Sequence, residues 1–269
     1  MYTEWYFSEY HREGEIEDWV TGEMVKPFNR FAGYLLILNL DQANDADIEV
    51  TFYYEDQAPT KVHYRLAAGR EGVSYVGPEA SERLGVPLEK RFGMRVSSTT
   101  PVVVQCTQGD YIHGGPVTNN MVTNMFTPGP LGEKHKVWYY IDCIVLRSSS
   151  PLEEREWITL LNPNRETAHV TLTFIPGGSM RLGTGEVLRG DPEEHGFQTE
   201  LEVGAERILQ TRLHEDIVEV EPNHHYSVRI ESNLPITAQA TRRIFERGNY
   251  AFSTSIAVLD CIPMGGAGF

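Results

Sequence analysis

Three polar residue types recur in this chain at one fixed interval. Arg95, Gln105 and Thr107 are matched by Arg229, Gln239 and Thr241, each 134 positions further on (229 − 95 = 134). Arginine offers a planar fork of N–H donors that suits a carboxylate or a pair of hydroxyls. Glutamine and threonine both donate and accept. Along an extended strand Gln105 and Thr107 share one face, and so do Gln239 and Thr241. Two readings follow. The set lines a polar cleft that holds hydroxyls or a carboxylate, or it satisfies backbone groups at a sheet edge or on a neighbouring subunit. Arg242 follows Thr241, whereas Gln108 stands at that place in the first set, so two such sites need not take the same ligand. Trp5 and Trp138 are candidate stacking floors for a sugar ring, with core packing as the alternative. Glu9 and Asp142, each four residues after a tryptophan, are candidate acceptors.

Motifs for other chemistry are missing from the sequence. There is no nucleophile elbow, phosphate loop, dinucleotide fingerprint or HExxH. Gly69-Arg70-Glu71-Gly72 lacks the glycine spacing of a phosphate loop, and Ser148-Ser149-Ser150 precedes Pro151 in an expected connection. His224 and His225 are adjacent, so in a strand they point to opposite faces. His113 lies in a glycine-rich stretch. No convergent set of three or four metal ligands emerges, and no cofactor is implied. A sugar enzyme with paired carboxylates has no pair marked by position. The chain is therefore expected to be a binding or signalling module rather than an enzyme.

The formal charge of −15 argues against general affinity for nucleic acid or anionic membranes. No apolar run approaches the roughly 20 residues of a spanning helix, and the N-terminus does not read as a signal peptide. Cys106, Cys143 and Cys261 are odd in number and widely spaced. They read as free thiols in a reducing cytoplasm.

The elements that must position these residues are strands. Ile48, Val50 and Phe52 alternate with polar residues, as do Val170, Leu172 and Phe174. Each run follows a Leu-Asn pair, Leu38-Asn39 and Leu161-Asn162, and the intervening turns differ by one residue. Trp5-Tyr6-Phe7 and Trp138-Tyr139-Tyr140 open the two halves. Three matches in one order indicate duplication. The expected fold is all-β, two tandem β-sandwich domains of similar topology, over residues 1–130 and 133–269. The Pro/Gly stretch 127–132 reads as the linker, 79–91 as the place for one short helix, and 265–268 as a tail.

The order of motifs resembles the Anabaena sensory rhodopsin transducer family. It runs from the aromatic strand at Trp5 through Leu38-Asn39, Phe52-Tyr53-Tyr54 and Tyr64-Arg65-Leu66 to Pro101-Val102-Val103-Val104-Gln105-Cys106-Thr107. The second half repeats part of it through Leu161-Asn162 and Pro235–Arg242. It has Leu209-Gln210-Thr211-Arg212-Leu213 where Tyr-Arg-Leu is expected. The resemblance implies a small β-sandwich, a cytosolic location, and assembly into a ring-like tetramer. It also implies binding of a small molecule, with a sugar as the candidate, or relay of a photoreceptor signal to a protein partner. A chain with two such domains would close the ring as a homodimer. The alternative function is a structural protein that forms a β-rich oligomer and takes no small ligand.

Overall fold

A computed structural model of the chain describes residues 3–11, 16–17, 24–25, 32–75, 91–109, 122–124, 127–128, 136–144, 152–177, 179–180, 187–188, 196–213, 215–217, 219–220, 225–246, 249–257 and 259–260. Alternation in the sequence becomes strands throughout, and no α-helix occurs among the described residues. The first half holds β1 (Glu4–His11), β2 (Ile16–Glu17), β3 (Met24–Val25), β4 (Ala32–Asn39), β5 (Ala46–Tyr54) and β6 (Thr60–Leu66). It continues with β7 (Glu71–Tyr75), β8 (Arg91–Ser98), β9 (Val102–Gly109), β10 (Val122–Asn124) and β11 (Thr127–Pro128). The second half holds β12 (Val137–Ile144), β13 (Leu152–Asn162), β14 (Ala168–Pro176), β15 (Ser179–Met180), β16 (Val187–Leu188) and β17 (Phe197–Val203). Then come β18 (Arg207–Arg212), β19 (His225–Ser232), β20 (Thr237–Glu246), β21 (Asn249–Ala257) and β22 (Leu259–Asp260).

Two pairs of antiparallel sheets result. In the first half, a five-stranded sheet runs β11-β1-β8-β5-β6 and a four-stranded sheet runs β10-β9-β4-β7. In the second half the orders are β22-β12-β19-β14-β17 and β21-β20-β13-β18. The two sets correspond strand for strand. Each pair of sheets closes on one apolar core. The first core joins Phe7, Ile48, Phe52 and Phe92 to Leu35, Ile37 and Val104. The second joins Trp138, Leu172, Phe174 and Val228 to Ile158, Leu160 and Ala238. At about 1.5–3 kcal/mol for each large apolar side chain removed from water, such cores supply most of the driving force.

The Leu-Asn pairs have a structural reason. Asn39 and Asn162 are both fully buried. The Asn39 side-chain amide donates to the carbonyls of Asn44, Leu66 and Ala67 at 2.9, 3.4 and 3.2 Å. That of Asn162 donates to Glu166, Val203 and Gly204 at 2.8, 2.9 and 3.0 Å. Each asparagine ties the turn after its own strand to the neighbouring hairpin, β6–β7 or β17–β18, where unpaired carbonyls would be costly.

Part of the expected linker is a strand: Thr127 and Pro128 form β11 and pair with Tyr6 and Trp5. A proline fits there because β11 is the outermost strand of its sheet. Residues 76–90, which hold nearly all of the expected helix, lie outside the described residues. So do 129–135, His113, Ser148–Ser150, His224 and the tail at 265–268.

Candidate functional site

Gln239 and Thr241 of the second half are buried, and Thr241 meets a side chain from the first half. The register of β1 on β8 shifts between Phe7 and Tyr10, a bulge that holds Ser8 and Glu9. Bulges re-aim side chains, and this one accompanies burial of Glu9 to 3% exposure. Its carboxylate accepts from Trp157 Nε1 at 2.8 Å, Thr159 Oγ1 at 3.0 Å and Thr241 Oγ1 at 2.8 Å. The Gln239 amide donates to Thr241 Oγ1 at 3.3 Å, and the Gln210 amide to Thr159 Oγ1 at 3.5 Å. Each amide thus orients a hydroxyl, and each hydroxyl spends its proton on the carboxylate. The hydroxyls of Ser8 and Thr237 share a further bond of 2.7 Å.

Beside this polar clasp lies a small apolar seam of Tyr6, Tyr53, Leu161 and Ile208. The packing at Gly93 is tight: a Cβ there would stand 3.0 Å from Ile208 Cγ2 and 3.1 Å from the Phe7 and Ser8 carbonyl oxygens, so these neighbours would have to give by a few tenths of an ångström. Arg95 Nη2 donates to Glu4 Oε1 at 2.5 Å, and the Tyr6 hydroxyl donates to Glu4 Oε2 at 3.0 Å. Burial, with the Glu4 charge adding to it, pushes the Tyr6 phenol well above its ordinary range. Arg229 has a similar carboxylate partner, Glu231 at 2.7 Å. In both arginines Nε is buried without a hydrogen-bond partner.

The remaining predicted positions separate clearly. Trp5 and Trp138 sit in the cores, donating Nε1 to the carbonyls of Val102 and Ile236 at 3.1 and 3.2 Å. Neither presents a ring face to a sugar, because inward-facing positions of the leading strands are where large aromatics bury most area. Arg242 pairs with the buried Glu156, which also accepts from the Tyr140 hydroxyl at 3.1 Å. Gln105 is exposed. Thr107 lies in register with Tyr34 on β4, and Asp142 falls within the β12 bulge, between Tyr140 and Cys143. Nothing local in the sequence marks Trp157 or Thr159, whose partner Glu9 is 148 and 150 residues away, or Gln210, which reaches the network only through Thr159.

The seam gives the two halves unequal surfaces. Thr159 pairs with Gln239 as Leu36 pairs with Gln105. Thr159, Leu161, Thr237 and Gln239 are all buried. Their counterparts Leu36, Leu38, Val103 and Gln105 are not: Leu38 is 39% and Val103 43% exposed. The covering face shows the converse. Tyr6, Thr51 and Tyr53 are buried, whereas the corresponding Tyr139 and Thr173 are half-buried and Ile175 is 44% exposed.

The sequence of the first half has a family match. Residues 29–124 match the family model of the Anabaena sensory rhodopsin transducer. No curated protein matches the chain. Among solved structures, Thermotoga maritima 1070 is 19% identical, covering 48% of this chain and 96% of its own, with a TM-score of 0.36. The Anabaena sensory rhodopsin transducer is 23% identical, covering 39% of this chain and 94% of its own, with a TM-score of 0.29. The cryo-EM structure of Broad Bean Stain Virus is 9% identical, covering 97% and 91%, with a TM-score of 0.19. The transducer match ends at residue 124, so the second half lies beyond it.

An open recess of about 630 Å³ is lined by Asp47, Glu49, His63, Arg65, Ser97 and Thr99, among others. Among the described residues no cluster of three or more His, Cys, Asp or Glu could hold a metal ion. Among the described residues no helix is long and apolar enough to cross a membrane.

Proposed function

We propose that the chain is a transducer-like signalling module built from two copies of one β-sandwich, and that it works in the cytoplasm as a closed homodimer of four pseudo-equivalent units. One observation carries this reading. The chain forms one seam internally and leaves one uncovered half of the same seam on each unit, Leu38 and Val103 on the first and Tyr139 and Ile175 on the second. A second chain brings both missing halves. Two such contacts, related by a two-fold axis, close the assembly. A protein partner would then meet a ring rather than a single unit.

Light scattering on the full chain is expected to give the mass of two chains at micromolar concentration. Val103→Arg and Ile175→Arg should each give one chain, with circular dichroism unchanged. A monomeric parent protein would overturn the ring. The relay is tested separately, by binding of the intact protein to a sensory rhodopsin held in nanodiscs. No binding there, with the dimer intact, would leave an assembly protein.

That second reading has its own support, because Thr241 is buried and bonded to Glu9, and Gln239 is buried and bonded to Thr241. A sugar or other polyol would instead suit the recess beside Ser97, whose lining mixes carboxylates, cations and hydroxyls. A thermal-shift screen of monosaccharides decides this, since a ligand of the folded state raises Tm by mass action. No shift with any of them at millimolar concentration would remove the sugar.

A further inference from the structure

β6 and β17 are the last strands of the two five-stranded sheets, at corresponding positions. Among the described residues neither has a strand on its outer side, so each carries a row of backbone donors and acceptors open to pairing. Their outward side chains differ in sign. On β6 the exposed positions are Lys61, His63 and Arg65; on β17 they are Gln198, Glu200 and Glu202. The inward positions alike are partly buried against their cores, Val62, Tyr64 and Leu66 on one strand and Phe197 and Leu201 on the other.

Charge on an edge strand discourages pairing with its own kind. Two β6 strands side by side would set cations against cations, and two β17 strands acids against acids, arrangements that destabilise a ladder. Only β6 against β17 sets unlike charges opposite one another while keeping polar side chains on one face and apolar ones on the other. In the antiparallel register that puts Lys61 opposite Glu202, His63 falls opposite Glu200. The partners these side chains have now are neighbours in their own half: Lys61 with Glu49 at 3.0 Å, Arg65 with Asp45 at 3.1 Å, and Glu202 with His169 at 3.4 Å. Exposed pairs of this kind rearrange readily.

We propose that the β6 edge of one chain pairs antiparallel with the β17 edge of a second copy, continuing one sheet across the contact. The occupant is a second copy because the acidic strand that complements β6 is carried by this chain itself. The contact uses surfaces other than the seam faces, so it joins closed dimers to one another. Being heterologous, it propagates unless the rotation happens to close.

Sedimentation velocity on the full chain tests this with two charge-reversed double variants, Lys61→Glu with Arg65→Glu, and Glu200→Lys with Glu202→Lys. The parent is expected to grow beyond the dimer with rising concentration at low salt and to lose that growth at high salt. Each variant alone should stay at the dimer. A mixture of the two should grow again, because every β6 then meets a β17 of opposite sign. Far-UV circular dichroism checks that both variants are folded. Growth of either variant alone to the parent's extent would overturn the proposal, as would a mixture of folded variants that does not grow. A parent that never exceeds the dimer, yet binds a synthetic acidic strand peptide through Lys61 and Arg65, would assign the edge to another protein and overturn the second-copy pairing. Running the parent series also with Ile175→Arg separates the two contacts: edge growth should persist there even if the seam ring does not form.

Discussion

Thr241 Oγ1 donates a 2.8 Å hydrogen bond to Glu9 Oε2, joining residues 232 positions apart. The acceptor belongs to the first half of the chain and the donor to the second, and both are buried. The relative placement of the halves is therefore held by a charged group as well as by apolar contact.

Glu9→Ala should be among the most damaging single changes. It leaves Trp157 Nε1 and the hydroxyls of Thr159 and Thr241 without their carboxylate acceptor. Hydrogen bonds to charged groups contribute about 1.5–3 kcal/mol each, with incomplete additivity, so a loss of about 3 kcal/mol is expected in urea denaturation. Glu9→Gln keeps the shape but turns an –NH2 toward donors, and should lose more than half as much. An effect below about 0.5 kcal/mol for Glu9→Ala would mean that the clasp does not form in solution.

Gln105 and Gln239 occupy corresponding positions with opposite surroundings. Gln239→Ala removes the amide that orients Thr241 and should cost roughly 1–3 kcal/mol. Gln105→Ala, on an exposed position, should stay within about 0.5 kcal/mol in the isolated chain. Equal costs at the two sites would show that both are buried, as they would be if the second chain covers Gln105.

Asn39 and Asn162 each bind three carbonyl oxygens. Alanine at either position should cost at least about 2 kcal/mol by leaving turn carbonyls unpaired. Thermal melts of the two variants should fall by similar amounts, because the two networks are alike.

The hairpins beside those asparagines differ at one telling residue. Gly69 has φ of 60°, and Glu206, at the corresponding place, has φ of 52°. The left-handed region costs a residue with a Cβ about 1–2 kcal/mol, partly offset in Glu206→Gly by the freer unfolded chain. Glu206→Gly is expected to stabilise by about 0.5–1 kcal/mol, and Gly69→Ala to destabilise by about 1–2 kcal/mol. Chemical denaturation reads both. A destabilised Glu206→Gly would mean that the side chain earns more than its backbone strain.

The strands were legible because Ile48, Val50 and Phe52 obey a period of two, and so do Val170, Leu172 and Phe174. The recurrence of Gln105 as Gln239 marked equivalent strand positions, β9 and β20. What it did not mark was burial: Gln239 is buried beside Thr241, which bonds Glu9 of the other half, whereas Gln105 is exposed. The indoles of Trp5 and Trp138 were placed on the right strands, yet their rings turn inward and bind carbonyls. Glu9 was singled out as an acceptor by its distance from Trp5. Its donors were invisible, because the β1 bulge, not the alternation, decides where its side chain points.

That bulge leaves no slack in β1. Residues up to Phe7 pair with β8 in one register, and Tyr10 and His11 pair in another. A single codon gained or lost at Ser8 or Glu9 would restore or double the offset without breaking either sheet, yet it would carry the carboxylate away from Thr159 and Thr241. Length polymorphism, tolerated in most surface loops, is thus excluded at two positions inside a strand, and a lineage that lost one of them would keep both sandwiches while losing the angle between them.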